Sequence, residues 1–210
     1  MKRIIIADDH EIVRAGLKQI IADDPELSVD GEAGDGQELL EKLRKKRYDV
    51  VLLDMKMPGR SGLEILKQLK MEHPSLPVLV LSMHPEEQYA VRTIRAGASG
   101  YITKETAPER LVEAIRKVCA GGKYISASLA EQLADSIADS RSKPPHEYLT
   151  DREFQVMCMI ASGKTITEIA KELFLSVKTI STYRQRILEK MNMKNNAELT
   201  HYVISNNLIE

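Results

Sequence analysis

Short apolar runs alternate with amphipathic stretches through residues 1–122 of the chain. The apolar runs lie at residues 3–7, 27–33, 50–53, 77–81 and 99–102, and they predict five β-strands. Between and after these runs, apolar residues recur every three or four positions, which predicts five helices. Strands that alternate with helices are typical of a doubly wound parallel sheet, so we expect an α/β fold here.

The rest of the chain has a helical pattern without a strand. Helices are predicted at residues 129–138, 151–161, 166–173, 177–191 and 196–205. Residues 140–146 are rich in Ser and Pro, which is typical of a linker. We therefore predict a first domain at residues 1–122, a linker with a helix at 123–146, and a small all-α domain at 147–210.

Composition and charge narrow the class of protein. The chain has 210 residues, 43% hydrophobic and 29% charged, as in folded globular domains. Its two cysteines, Cys119 and Cys158, lack the spacing of a metal site, and free thiols are expected. We find no signal peptide and no apolar run of ~18 residues, so a cytoplasmic protein without membrane contact is expected.

Polar residues follow the predicted strands at their carboxyl ends. These residues are Asp8, Asp9, Asp54, Ser82 and Lys104. Because the carboxyl ends of parallel strands meet at one edge of a sheet, the five side chains should converge. Three carboxylates in one crevice repel one another unless a cation joins them, and carboxylates with water suit Mg²⁺.

The chemistry that fits these residues is phosphoryl transfer onto a carboxylate. Asp54 would attack phosphorus and form an acyl phosphate, while Lys104 neutralises the developing charge. Asp8 and Asp9 would hold the metal together with the main-chain carbonyl of Lys56. Asp9 has an alternative role, because an aspartate at this position can cap the helix that starts near Glu11.

Other functions fit parts of the same pattern. A phosphatase would use Asp54 as its nucleophile, but it needs a second carboxylate as acid or base. The pattern offers only Lys56 and Met57 beside Asp54, and His84 two residues past Ser82. A nucleotide-binding domain would need a glycine-rich loop after the first strand, where the chain has Asp8-Asp9-His10-Glu11. A third alternative is a dimerisation module that no longer accepts phosphate.

The helices at 166–174 and 177–191 are separated by a tight turn and predict a helix-turn-helix. Ser176 is a good N-cap for the second helix, and Thr150 with Glu153 forms a capping box for an earlier one. Residues 177–194 carry five cations and one anion. This excess suits nucleic acid, although an ordinary solvated helix face has a similar composition.

The first domain resembles the flavodoxin-like receiver domain of two-component response regulators. The resemblance rests on Asp8-Asp9, Asp54 with Met57-Pro58-Gly59, Ser82, Tyr101 and Lys104. It implies a histidine kinase as phosphate donor, Mg²⁺ as cofactor, and Ser82 and Tyr101 as switch residues. It also implies at most slow self-phosphorylation and self-dephosphorylation. Many receivers have Pro after the lysine, whereas this chain has Glu105, so the cis peptide usual there is in question.

The second domain is similar to the LuxR/GerE-type DNA-binding domain. This resemblance rests on residues 149–153, 163–165, 168–170 and 176–183. Together the two halves resemble a NarL/FixJ-type transcriptional response regulator, and the run Ser181–Arg184 resembles the subgroup that includes UvrY and BvgA. The family implies binding to promoter DNA as a dimer formed on phosphorylation, with the last helix as dimer contact and RNA polymerase as a further candidate partner.

The same resemblance assigns positions on the second helix. Ser181, Thr182 and Gln185 would face bases. Phosphates would be met by Lys178, Thr179 and Arg186, with Lys190 as a weaker candidate. Tyr183 is expected to pack inside the domain.

Overall fold

The computed structural model describes residues 1–58, 60–83, 86–138, 144–206 and 208–209. The predicted turn residue Gly59, the residue His84 and linker residues 139–143 therefore lie outside the described part of the chain. The described residues form two compact units, Met1–Gln132 and Leu133–Glu210. The domain borders predicted from sequence, after residues 122 and 146, remain predictions.

The first unit contains five strands and five helices that alternate along the chain. The strands are β1 (Lys2–Ala7), β2 (Leu27–Ala33), β3 (Val50–Asp54), β4 (Val78–Ser82) and β5 (Gly100–Thr103). The helices are α1 (Glu11–Ala22), α2 (Gly36–Lys45), α3 (Gly62–Glu72), α4 (Glu86–Arg95) and α5 (Ala107–Cys119). The fifth strand begins and ends one residue later than the sequence pattern indicated.

All neighbouring strands are parallel, in the order β2-β1-β3-β4-β5. This order confirms the predicted doubly wound sheet. β3 and β4 are buried along their whole length, because their continuous apolar runs face helices on both sides of the sheet. Helices α1 and α5 pack together over one face, and α2 contacts α3 on the other.

The outer edge of β5 is covered by a short segment that follows α5. The main-chain N–H of Tyr124 donates to the carbonyl oxygen of Ser99 at 2.9 Å, and the N–H of Tyr101 donates to the carbonyl of Tyr124 at 3.2 Å. Gly100 and Tyr124 thus form an isolated parallel bridge. The sequence pattern did not predict this pairing, which protects an otherwise open sheet edge.

The remaining described elements are five helices, as predicted, and one 3-10 turn that the sequence pattern did not predict. They are α6 (Ala127–Ala138), a 3-10 turn (Pro145–Tyr148), α7 (Asp151–Ala161), α8 (Ile166–Glu172), α9 (Val177–Met191) and α10 (Asn196–Ser205). The capping box of Thr150 and Glu153 at α7 is confirmed, and so is the N-cap of Ser176 at α9. The second unit buries its core between α7, α9 and α10, with Phe154 and Ile187 fully enclosed.

Candidate functional site

Three charged side chains meet at the carboxyl edge of the sheet. Asp8 directly follows β1, Asp54 is the last residue of β3, and Lys104 directly follows β5. The register holds them in place: the N–H of Asp8 donates to the carbonyl of Ala33 at 3.1 Å, and the N–H of Lys104 donates to that of Ser82 at 2.7 Å. Each side chain therefore extends beyond the end of a rigid strand into the same crevice.

The ammonium group of Lys104 bridges the two aspartates. Its Nζ atom lies 2.6 Å from Oδ2 of Asp8 and 2.9 Å from Oδ2 of Asp54. The Asp8 and Asp54 side chains are 1% and 2% exposed, whereas that of Lys104 is 12% exposed. Two buried carboxylates thus share one cation, and they remain under-neutralised.

For both Asp54 and Lys104, burial and the neighbouring charges shift the pKa in opposite directions. Burial raises the pKa of the Asp54 carboxyl, and Lys104 offsets this effect only in part. Burial alone would lower the pKa of Lys104, but Asp54 and Asp8 outweigh it and the pKa is raised. Lys104 is therefore a fixed positive charge, and Asp54 carries a negative charge that water does not stabilise.

Asp9 and His10 complete an acidic cluster with Asp8 and Asp54. One ligand atom from each residue can be chosen so that all four lie within 4.8 Å of one another. Three carboxylates against one ammonium leave two negative charges uncompensated, and carboxylate oxygens are the ligands that Mg²⁺ prefers. The donor set therefore fits a divalent hard cation.

The alternative role of Asp9 as a helix cap is wrong. His10 is the N-cap residue of α1 and its side chain makes no capping hydrogen bond, while its main-chain N–H donates to Oδ1 of Asp8 at 2.9 Å. Asp9 instead lies 2.8 Å from the His10 ring through its Oδ1 atom, which turns its carboxylate towards the cluster. Its side chain is 30% exposed, so it stands at the mouth of the crevice.

The remaining predicted site residues lie just after β3, at the end of β4 and on β5. The main-chain N–H of Lys56 hydrogen-bonds the Asp54 carboxylate. Ser82 is the buried last residue of β4, and Tyr101 on β5 is fully buried. No described peptide bond is cis, so the bond after Lys104 is trans.

Sequence reasoning missed Arg14, which also holds the site together. Its Nη1 atom donates to the main-chain carbonyl of Asp8 at 2.7 Å, and its Nε atom pairs with Glu32 at 3.1 Å. No spacing in the sequence marks Arg14 for this contact, because the contact joins a side chain of α1 to the main chain at the end of β1.

In the second unit, α9 presents a polar face to solvent. The exposed members of the predicted set are Lys178, Ser181, Thr182, Gln185, Arg186 and Lys190, while Thr179 is half-buried. Ser181 and Thr182 donate their hydroxyl protons to main-chain carbonyls one turn earlier, at 2.9 and 3.0 Å. Lys178 and Arg186 make no ion pair with the described residues. They are therefore open to an anionic partner.

Two predictions for α9 need correction or refinement. Tyr183 is half-buried and does not pack fully inside. Lys190 has a partner within the protein: its Nζ atom lies 2.6 Å from Oε2 of Glu153, whose side chain is 3% exposed. Burial alone would raise the pKa of Glu153, but the hydrogen bonds from Lys190 and Thr150 lower it overall.

Both halves of the chain match known protein families. Residues 4–116 match the response regulator receiver domain, and residues 147–203 match the luxR family of bacterial regulatory proteins. In the described part of the chain, no helix is long and apolar enough to span a bilayer.

Curated relatives match over the full length. The chain is 38% identical to response regulator UvrY of Escherichia coli K12 over 99% of this chain and 96% of that protein. It is also 38% identical to response regulator GacA of Pseudomonas aeruginosa, over 100% of this chain and 99% of that protein.

Solved structures show the same fold. RcsB of Salmonella enterica serovar Typhimurium, bound to promoter rprA in the presence of the phosphomimetic BeF3⁻, superposes with a TM-score of 0.67 at 28% identity, covering 97% of this chain and 98% of that chain. Another structure of the RcsB response regulator, from Salmonella typhimurium, gives a TM-score of 0.63 at 29% identity, over 97% and 100% of the two chains.

Proposed function

This chain belongs to the two-component response regulators that join a receiver domain to a DNA-binding domain of the luxR family, and we propose that phosphorylation of Asp54 controls its binding to promoter DNA. The observation that carries the proposal is the bridge from Lys104 to both Asp8 and Asp54. This bridge supports a site in which Lys104 offsets the negative charge of the carboxylates and can also offset that of an added phosphoryl group.

In the proposed reaction, a carboxylate oxygen of Asp54 attacks the phosphorus of a phosphohistidine on the partner kinase. The new O–P bond forms as the P–N bond breaks, and the electron pair stays on the imidazole nitrogen. Lys104 neutralises the phosphoryl oxygens from the side of β5, and the Lys56 N–H orients the attacking carboxylate. Ser82 and Tyr101 are the proposed switch residues, which respond once the acyl phosphate has formed.

Asp8, Asp9 and Asp54 are the proposed ligands of Mg²⁺, with the main-chain carbonyl of Lys56 as a fourth. A bound Mg²⁺ would stabilise the charge that develops on the transferred phosphoryl group. The full acidic cluster supports this assignment, because its uncompensated charge matches a divalent cation. The site would work as a phosphoacceptor, with at most slow self-phosphorylation from small donors and slow self-dephosphorylation.

The second unit is the proposed DNA reader. Ser181, Thr182 and Gln185 would contact base edges from α9, while Lys178, Thr179 and Arg186 would contact phosphates. Because one helix-turn-helix contacts a single half-site, we propose that phosphorylation favours a homodimer on paired half-sites, with α10 as a dimer contact. We propose that the protein acts in the cytoplasm. Its proposed partners are a sensor histidine kinase, promoter DNA and RNA polymerase.

Intact mass spectrometry tests the first step. Wild type and Asp54→Asn are incubated with acetyl phosphate and Mg²⁺, with and without a chelator. We expect one added phosphoryl group in wild type only, lost on chelation. An unmodified wild type, or an adduct that persists in Asp54→Asn, would contradict the assignment of Asp54.

The second step is tested by binding. Phosphorylated wild type and Asp54→Asn are compared for affinity to the same promoter duplex, and sedimentation velocity reports the oligomeric state. Equal affinity and equal mass in solution for the two proteins would contradict a phosphorylation switch while leaving DNA binding itself intact.

A further inference from the structure

The turn of the helix-turn-helix contains an unusual residue. Phe174 has a backbone φ of 53°, in the left-handed region that favours glycine and asparagine. The other described residues with positive φ are Asn192 and three glycines, Gly97, Gly121 and Gly163. Phe174 is therefore the one bulky side chain that the described residues hold in this conformation.

The backbone around Phe174 explains its conformation but not its aromatic ring. The N–H of Leu175 donates to the carbonyl of Ala170 at 2.9 Å, and the N–H of Phe174 donates to that of Lys171 at 3.3 Å, so the left-handed residue ends α8. Glycine or asparagine would end it with less strain. Phe174 is 72% exposed, so packing within the described part of the protein does not account for the aromatic side chain.

The neighbouring apolar side chain lies on the proposed DNA-reading face. Val177 is the first residue of α9 and is 48% exposed. It precedes Ser181 by one helical turn, and the Ser181 hydroxyl donates to the Val177 carbonyl at 2.9 Å. Val177 therefore extends the row of predicted base-reading residues towards the amino end of the helix.

We propose that Phe174 and Val177 form an apolar contact with thymine methyl groups in the major groove. The inference rests on the proposed DNA-binding function. A recognition helix presents its amino-terminal residues to base edges, and the thymine methyl is the apolar group at that surface. Exposed Lys178 beside Val177 supplies the charge complementarity that brings a phosphate backbone to this end of α9.

The proposal predicts that one substitution at Phe174 changes folding stability and DNA affinity in opposite directions. Phe174→Asn relieves the left-handed strain, so the melting temperature of the second domain should rise, on the order of 4 °C. The same change removes the apolar contact, so affinity for thymine-containing duplex should fall about fourfold for each methyl contacted. A residue with a merely structural role would not separate these two effects.

The probe is a duplex that the full-length wild-type chain itself enriches from a random pool. The same duplex is then synthesised with deoxyuridine in place of deoxythymidine, which removes the methyl groups and keeps the base pairing. Wild type should lose affinity on this replacement, and Phe174→Asn, which keeps only the Val177 contact, should lose less. Phe174→Leu keeps an apolar side chain and should respond as wild type does.

Asn192→Gly is the matched control, because Asn192 has a φ of 54° at the other end of α9. It should change stability without changing the response to deoxyuridine. If Phe174→Asn keeps the wild-type affinity and the wild-type response to deoxyuridine, the proposed thymine contact of Phe174 is wrong. If wild type enriches no duplex at all, the proposed DNA-binding function fails first.

Discussion

The ammonium nitrogen of Lys190 lies 2.6 Å from a carboxylate oxygen of Glu153, although the two residues are 37 positions apart in the chain. Glu153 is buried and also accepts hydrogen bonds from the Thr150 N–H and hydroxyl, at 2.8 and 3.0 Å. Lys190 thus neutralises a capping carboxylate inside the domain, and this contact competes with any phosphate contact.

Lys190→Met should destabilise the second domain by about 1–3 kcal/mol, because it leaves a buried carboxylate without its cation. Since the pKa of Glu153 is lowered in the folded protein, its contribution is present above the ordinary carboxyl pKa and is lost as pH falls through the lowered value. Calorimetry of wild type and variant between neutral and acidic pH should therefore show two melting temperatures that converge at low pH.

Arg186→Met is the contrasting change, because Arg186 is exposed on the same helix. We expect it to leave stability unchanged and to reduce the salt slope of DNA binding by about one ion. Lys190→Met should leave that slope nearly unchanged. A reduction as large as that of Arg186→Met would mean that Lys190 leaves Glu153 to meet a phosphate.

Asp54→Asn should raise the melting temperature of the receiver in Mg²⁺-free buffer at neutral pH. Burial raises the pKa of Asp54, so the folded state holds its proton more tightly than the unfolded chain does, and stability falls as pH rises to the raised value. Asparagine lacks this charge, so the unfolding free energy of Asp54→Asn should exceed that of wild type at neutral pH.

The gain should shrink as pH falls through the raised pKa towards the ordinary value. Adding Mg²⁺ should also narrow the gap, because a bound cation stabilises the ionised form. Thermal melts at a series of pH values, with and without Mg²⁺, measure both effects. A gap that stays constant with pH would show that the Asp54 charge costs the folded state nothing.

Lys104→Met should destabilise the receiver by about 3 kcal/mol without Mg²⁺, because Asp8 and Asp54 lose the cation that they share. It should also bind Mg²⁺ more tightly, since the competing ammonium is gone, so Mg²⁺ should raise its melting temperature more than that of wild type. Lys45→Met, a change at an exposed helix residue, is the control. If Mg²⁺ raised the melting temperatures of Lys104→Met and Lys45→Met equally, Lys104 would not compete with the metal for Asp8 and Asp54.

Gly100→Ala should detach the segment that covers β5. An added Cβ atom would lie 2.7 Å from the Tyr124 carbonyl oxygen and 2.8 Å from Leu79 Cδ1, so the neighbours must shift. We expect a loss of about 1–3 kcal/mol and faster hydrogen exchange at the Tyr101 and Tyr124 amides.

Gly16→Ala is the matched control for that substitution. Gly16 lies in α1 with no atom within 4 Å of the added Cβ, and alanine there should stabilise by about 0.5–1 kcal/mol. If Gly100→Ala leaves exchange at Tyr101 unchanged, the bridge to Tyr124 is not what protects this amide.

The sequence alone determined the order of the elements and the edge at which the charged residues meet. A short continuous apolar run such as Val50–Leu53, rich in β-branched residues and followed by a turn, is typical of a buried parallel strand, and parallel strands bring their carboxyl ends together. Asp8, Asp54 and Lys104 could therefore be placed side by side from their positions after strands. The caps of Thr150 and Ser176 were equally readable, because capping depends on residues three positions apart.

Only the tertiary structure decided which groups of different elements meet. The pairing of Lys190 with Glu153, the hold of Arg14 on the Asp8 carbonyl and the bridge of Tyr124 to Gly100 leave no periodic trace. Local patterns record which face of an element is apolar. They do not record the packing of one element against another, and it is this packing that turned a predicted phosphate contact into an internal ion pair.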